Sequence, residues 1–225
     1  MANKGSSRHM KSLTTSKYYA VHKKESAYSA KPSPGRHTLD RSIPLLAMAT
    51  KAGLSATSHD ANSMIKKGEL RVNGKQIRNP RYPVGLNDIV ESVPAKKSFL
   101  VGINERGQVS ITDSKGKERL CKIVQKYKAQ KGTLMIRLHD GMVLKAGKDT
   151  CVNDSVLVGN DNSIKKVLKL GNGSRCTIIA GVHVGASGTV KEIHAGTSTS
   201  KAYVTVEQGG NKGFDTLLKN IMVVE

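Results

Sequence analysis

Short runs of alternating apolar and polar residues, punctuated by glycine, fill the chain from residue 70 onward. Before them, two stretches carry the three-to-four-residue apolar spacing of helices. In the first, Asp40 or Ser42 is placed to cap a helix with Pro44 in its first turn. Leu45, Leu46, Met48 and Ala49 form its apolar stripe, and Gly53 ends it. In the second, Ser58 is the cap, Ala61, Met64 and Ile65 face inward, and Gly68 closes the helix. Leu70-Arg71-Val72 and Lys75-Gln76-Ile77 then flank Asn73-Gly74, a strong short signal for a hairpin with a type I′ turn. Both central residues of that turn need positive φ, which Asn and Gly tolerate, so Asn73 reads first as a turn residue. Alternation sets Leu70 and Val72 on one face and Arg71 on the other. Pro80 and Pro83 keep the next segment off a central strand. Asp88-Ile89-Val90-Glu91 is a short closing strand.

Beyond Lys97 the pattern is β throughout. FLVGINERGQVSITDSKG gives two alternating runs, with turns at 104–107 and 113–116. LCKIVQKYKAQKGTLMIRLHDGMVL repeats the design, with turns at Lys131-Gly132 and Asp140-Gly141. Even spacing of short strands suggests a small barrel or twisted sheet. CTIIAGVHVGASGTVKEIHAG reads as strand, glycine-rich loop and strand, with AYVTVEQGG and FDTLLKNIMVVE as closing strands. Residues 1–38 differ: eight Lys/Arg, one acid (Glu25), three His and three Tyr stand among many Ser and Thr. Such a segment cannot build a core of its own. The expected fold class is α+β in four parts: a basic extension 1–38, a small α+β domain 39–97, a central β domain 98–170, and a small SH3-like barrel 171–225.

Charge narrows the function. Over 225 residues, 37 Lys/Arg stand against 17 Asp/Glu, a net charge of +20, and the pI is ≈ 10.0. Self-repulsion of that size calls for a polyanion. An anionic membrane is the rival, but no apolar run approaches the ~20 residues of a span. There is no Trp and no basic helix with an aromatic face. The N-terminus lacks the apolar core of a signal peptide. Cys121, Cys151 and Cys176 are far apart and form no CxxC pair, so zinc is not expected, and they fit a reducing cytosol.

The order and spacing of LDRSIPLLAMATKAGLS, ANSMIKKGELRVNGKQIRNPRYPVGLNDIV resemble the S4 RNA-binding domain: two short helices, then a small β-structure. RxxPLL, IxxGxxRVNGK and YPVGxxDIV in that order resemble the archaeal/eukaryotic small-subunit ribosomal protein S4e family. MANKGSSRHMKSL and PSPGRH are similar to that family's N-terminal arm. LCKI, LHDG and VNDSVLV are similar to its central domain, and CTIIAGVHVGASGTVKEIHAG resembles a KOW motif. The family usually has GGRNxGRxG at the last loop; here Val182 and Ala186 replace the arginines. The resemblance implies a structural rRNA-binding protein of the small subunit in the cytoplasm. Its partners would be small-subunit rRNA and neighbouring ribosomal proteins, with no cofactor and no small-molecule substrate. The end at Glu225, straight after the last strand, favours an archaeal member.

Enzymatic readings find little support. No triad order, paired carboxylates or metal cluster stands out, and neither Gly171-Asn172-Gly173 nor 185–188 has P-loop spacing. S4-type modules in RNA-modifying enzymes accompany a large catalytic domain. The 128 residues after Lys97 are β-rich and basic instead. A transient assembly or modification factor is the alternative; a KOW-type transcription accessory would explain only 171–225. The expected RNA-binding residues begin with Arg8, Lys11, Lys17, Lys23, Lys24 and Arg36 of the arm, beside Tyr18, Tyr19 and Tyr28 as stacking platforms. Lys51 follows on the first helix, then Lys66, Lys67, Arg71, Lys75, Arg78 and Arg81 around the hairpin, and Arg175 and Lys191 beside the last loop.

Overall fold

The protein is described from a computed structural model covering residues 9–114, 116, 118–129, 132–147, 149–197, 200–208 and 211–225, the last segment without the side chains of 211 and 212. It divides into two compact units. The first holds the described residues up to Gly102 and those between Gln108 and Lys115; the second holds 103–107 and the rest.

In the first unit, β1 (Met10–Lys11) pairs with β2 (Tyr28–Ser29), and β3 (Ser42–Pro44) pairs with a later strand, β6 (Pro83–Gly85). Helices α1 (Leu45–Lys51) and α2 (Ser58–Lys67) follow β3. The caps differ from expectation. Pro44, preset in φ, directly precedes α1, and no side chain caps that helix. Its early N–H groups instead reach backbone carbonyls: Leu45 N bonds Tyr82 O at 2.9 Å and Leu46 N bonds Pro80 O at 2.9 Å. The cap of α2 is Thr57, whose Oγ1 accepts from Asp60 N, one residue before the expected Ser58. Gly68, at φ 80°, closes α2 as expected.

The hairpin forms as the pattern predicts. β4 (Leu70–Val72) and β5 (Lys75–Gln76) join through Asn73 (φ 50°) and Gly74 (φ 77°). Leu70 and Val72 are buried and Arg71 is exposed. β7 (Ile89–Ser92), β8 (Lys97–Ile103) and β9 (Val109–Asp113) complete a sheet of order β5-β4-β7-β8-β9. The boundary expected between residues 97 and 98 therefore falls inside β8. Phe99 and Val101 of β8 are buried, and Phe99 lies opposite Val90. Alternation identifies the strand but not the sheet it joins, because pairing is a tertiary choice. The unit's core comprises Ile43, Leu45, Met48, Ile65, Leu70 and Ile89 among others, each worth about 1.5–3 kcal/mol of burial.

The arm, which cannot build a core of its own, is tied to the body. Tyr18 and Tyr19, in a tight 3-10 turn at Lys17–Tyr19, are 6% and 5% exposed. The segment has no core of its own; its tyrosines join the core of the body. Large amphipathic rings are suited to that, since burial gains area while the hydroxyl keeps a polar end.

The second unit is built of β-strands, with a 3-10 turn at Leu218–Asn220 before its last strand. β10 (Glu118–Lys128), β11 (Leu134–Leu138), β12 (Val143–Lys145), β13 (Ser155–Gly159) and β14 (Ile164–Leu168) form an antiparallel sheet of order β12-β11-β10-β13-β14. Cys121, Ile123, Ile136, Leu138, Val156 and Val158 are its core. His139-Asp140-Gly141 is a turn, as expected. Asp140 pairs with the buried Arg119 at 2.9 Å. A second sheet, order β18-β17-β16-β15-β19, comprises β15 (Arg175–Ile178), β16 (Ser187–His194), β17 (Tyr203–Gln208), β18 (Asn211–Leu217) and β19 (Ile221–Val223). Cys176, Val190, Val204, Val206 and Ile221 fill it. Lys122 of β10 is buried and donates to the carbonyls of Leu218 (2.8 Å) and Ile221 (2.6 Å), tying the last turn to the first sheet. Cys121 and Cys176 are buried, Cys151 is exposed, and all three are free thiols. No helix is long and apolar enough to cross a membrane among the described residues.

Candidate nucleic-acid interface

The Asn73-Gly74 turn is held from beneath by a buried carboxylate. Asp88 Oδ1 accepts from Asn73 Nδ2 at 2.7 Å. Asp88 Oδ2 accepts from Gly85 N at 3.0 Å and from His37 Nε2 at 2.7 Å. Asn73 in turn accepts from Ile89 N through Oδ1 (2.9 Å) and donates its own N–H to Ile89 O (2.8 Å). Burial alone would raise the Asp88 pKa. The bonds from His37, Asn73 and Gly85, with the His37 charge, overcome that and hold it down at about 2. One ionised group thus fixes a left-handed turn, begins β7, and fastens residue 37 of the basic segment to the hairpin.

Sequence reasoning misses Asp88 as a keystone, and His37 with it. The available signal is a single acid before Ile89-Val90 in a module otherwise dense in cations. Asn73 is the turn residue that the sequence predicts, but its amide works as hard as its backbone: both ends of the side chain are bonded inside the protein.

Above this frame stand the cations. Lys66 and Lys67 end α2, Arg71 points outward from β4, Lys75 begins β5 and Arg78 follows it; all five are exposed. None has a side-chain hydrogen bond or ion pair among the described residues. In register, Arg71 lies opposite Gln76 on one side and Glu91 on the other, so one acid lies closer than the sequence suggests. Two predicted residues are engaged internally. Arg81 Nε donates to Lys31 O at 2.8 Å, and Lys51 Nζ donates to Tyr19 O (2.7 Å) and Ala20 O (2.8 Å). Burial lowers the pKa of Lys51. Both side chains bind the arm to the body.

On the arm, Lys11, Lys17 and Lys24 are exposed, Lys23 Nζ reaches Leu13 O at 3.4 Å, and Arg36 is half-buried; Arg8 lies outside the described residues. Of the three tyrosines, only Tyr28 is open to solvent, 60% exposed and tilted against His9. Tyr18 and Tyr19 are not free to stack on bases.

The last glycine loop, 179–186, is built differently. Val182 is 93% exposed and His183 stacks on Phe214 at 4.2 Å. A Cβ on Gly185 would meet Asn104 O at 2.3 Å, so this loop packs closely against the 104–107 turn of the same unit. Arg175 is exposed on β15, while Lys191 pairs with Glu207 at 2.8 Å, which raises its pKa. No group of three or more His, Cys, Asp or Glu suited to a metal occurs among the described residues.

Comparison with known proteins gives the family. Residues 45–90 match the S4 domain, and residues 95–163 match the ribosomal family S4e. Small ribosomal subunit protein eS4 of Methanococcus vannielii is 30% identical over 237 residues, covering 100% of this chain and 96% of that protein. The eS4 protein of Staphylothermus marinus is 29% identical over 238 residues, covering 100% and 94%. The crystal structure of 30S ribosomal protein S4e from Thermoplasma acidophilum superposes with a TM-score of 0.71 at 26% identity, covering 82% of this chain and 95% of that one. With two short helices, a strand-rich remainder and this similarity along its whole length, the chain belongs to the S4e family of small-subunit ribosomal proteins.

Proposed function

We propose that this chain, a structural constituent of the small ribosomal subunit and not an enzyme, holds small-subunit rRNA chiefly with its hairpin module. Arg71, Lys75 and Arg78 lead the contact, and Lys66 and Lys67 extend it. The observation that carries the reading is five exposed cations around a hairpin whose turn Asp88 immobilises, none of them with a side-chain partner among the described residues. Cations with no partner inside the protein neutralise phosphates and release counterions without first breaking an internal bond. Arginines add bidentate or stacked contacts that flexible lysines do not. A-form RNA hides its base edges, so such a surface reads shape and junctions.

The arm's exposed Lys11, Lys17 and Lys24 continue the basic surface, and neighbouring ribosomal proteins take other faces. The strand-loop-strand at 175–194 supports a KOW-type, SH3-like reading of residues 171–225. In this reading its loop serves packing before RNA. The test is retention on small subunits. The protein should co-sediment with them near one-to-one after a high-salt wash. A substoichiometric protein that washes off would favour a transient assembly factor.

A further inference from the structure

In the second unit, a pocket of about 300 Å³ opens between the turn before β13 and the end of β18, lined by Asn153, Lys201, Ala202, Leu217, Leu218 and Lys219. Its walls are fixed. Leu218 N donates to Ala202 O at 3.1 Å, and the buried Lys122 ammonium holds Leu218 O from behind. Asn153 sits at φ 74°, a left-handed position set by the turn. Asp154, the adjacent acid, is buried and accepts backbone N–H bonds from Cys151 and Leu170 on its two oxygens. Lys201 and Lys219 are exposed and have no carboxylate partner among the described residues. Apolar walls under a rim of two ammonium groups with no ion-pair partner among the described residues match a neutral flat ring flanked by negatively charged phosphates.

We propose that this pocket holds one unstacked rRNA nucleotide, its base against Leu217, Leu218 and Ala202 and its phosphates on Lys201 and Lys219. The inference rests on the rRNA-binding reading above and adds a second, separate contact to the hairpin. Single-stranded nucleotides bind by such a division of labour, with a sequence-tolerant apolar or aromatic seat for the base and cations along the backbone.

Two variants of the full chain test it. Lys201→Ala with Lys219→Ala removes the rim charges. Ala202→Phe fills the seat and keeps the charges. Each protein is bound to purified small-subunit rRNA across a salt series, and 2′-hydroxyl acylation is read at single-nucleotide resolution on reconstituted subunits. The double variant should flatten the log affinity against log salt slope by ~1–2 units, at most one for each phosphate left unneutralised. Both variants should expose the same one or two nucleotides to acylation. If Arg71→Ala, Lys75→Ala and Arg78→Ala together flatten the slope while the pocket variants change neither slope nor acylation, the pocket inference falls and the rRNA reading stands. If the wild-type protein shows no salt-dependent rRNA binding, both fall. If Lys201 and Lys219 resist acetylation on the subunit while no nucleotide responds to either variant, the occupant is a protein and the inference is overturned.

Discussion

Two glycine-bearing β turns in this protein look alike in sequence and differ in what they present. The Asn73-Gly74 hairpin is pinned from below by buried Asp88 and surrounded by exposed, unpartnered cations. The 179–186 loop has an apolar tip at Val182 and packs at Gly185 against the backbone of Asn104. Its neighbour Lys191 is already paired with Glu207. The hairpin's turn rests on a buried carboxylate, whereas the buried charge of the second unit, the Lys122 ammonium, holds the turn before β19. A turn motif therefore says little about nucleic-acid contact. What decides is whether nearby charges are left free by the protein's own packing.

The largest expected effect comes from breaking the hairpin's anchor. Asp88→Asn keeps one oxygen acceptor but turns amide hydrogens either toward Asn73 or toward Gly85 and His37, and removes the charge, so it should destabilise the first unit by on the order of 3 kcal/mol in denaturant unfolding of the full chain. The wild type should also lose stability in acid. The Asp88 carboxyl is held at about 2 against an ordinary 3.8, so its contribution is complete above pH 3.8 and fades as the pH falls through 2. That contribution amounts to roughly 2 kcal/mol and should be absent from the Asn variant. Identical acid profiles for the two proteins would show that Asp88 is not the anchor.

Lys122 should give the mirror image on the alkaline side. Burial lowers its pKa from 10.5 to about 8, so between those values the unfolded chain binds more protons and stability rises with pH. Comparing wild type with Lys122→Met isolates this. The rise between pH 8 and 10.5 should be smaller in the variant, by on the order of 1–2 kcal/mol. An unchanged rise would place the buried ammonium outside the folding equilibrium.

Next in size is Gly74→Val, which forces a β-branched residue to φ 77° and should cost ~1 kcal/mol or more. Its rRNA affinity should fall with its melting temperature. Weaker binding at unchanged melting temperature would mean that the turn backbone itself touches RNA. The smallest effect is expected from Tyr18→Phe. The Tyr18 hydroxyl is buried with no hydrogen-bond partner among the described residues, and burial, with the nearby Asp88 charge, raises its pKa. Removing it should be neutral or stabilising by up to about 1 kcal/mol. A clear destabilisation would reveal a polar contact for that oxygen.

Local chemistry makes part of this legible in advance. The hairpin follows from Asn-Gly between alternating residues, α2 from its apolar spacing and Gly68, and the inward Leu70 and Val72 from period two. What stays hidden depends on contacts between distant residues. Asp88 reads locally as the first residue of a strand; only folding brings it to Asn73 and, 51 residues away, His37. Tyr18 and Tyr19 have the composition of a base-stacking arm, yet the body has room for them. Lys51 and Arg81 carry the same charge as Lys75, but backbone carbonyls of the arm take up their donors. Charge is a property of sequence, whereas its availability belongs to the fold.

The most direct test of the central claim is the salt dependence of rRNA binding by the full chain. Arg71, Lys75 and Arg78 changed together to Ala should flatten the slope of log affinity against log salt by ~2–3 units, one for each phosphate left unneutralised. Arg175 and Lys191 changed together should flatten it by no more than ~1, since Lys191 is already paired. Equal slopes for the two variants, or a larger decrease from the second, would place the RNA surface at the C-terminal loop and contradict the account.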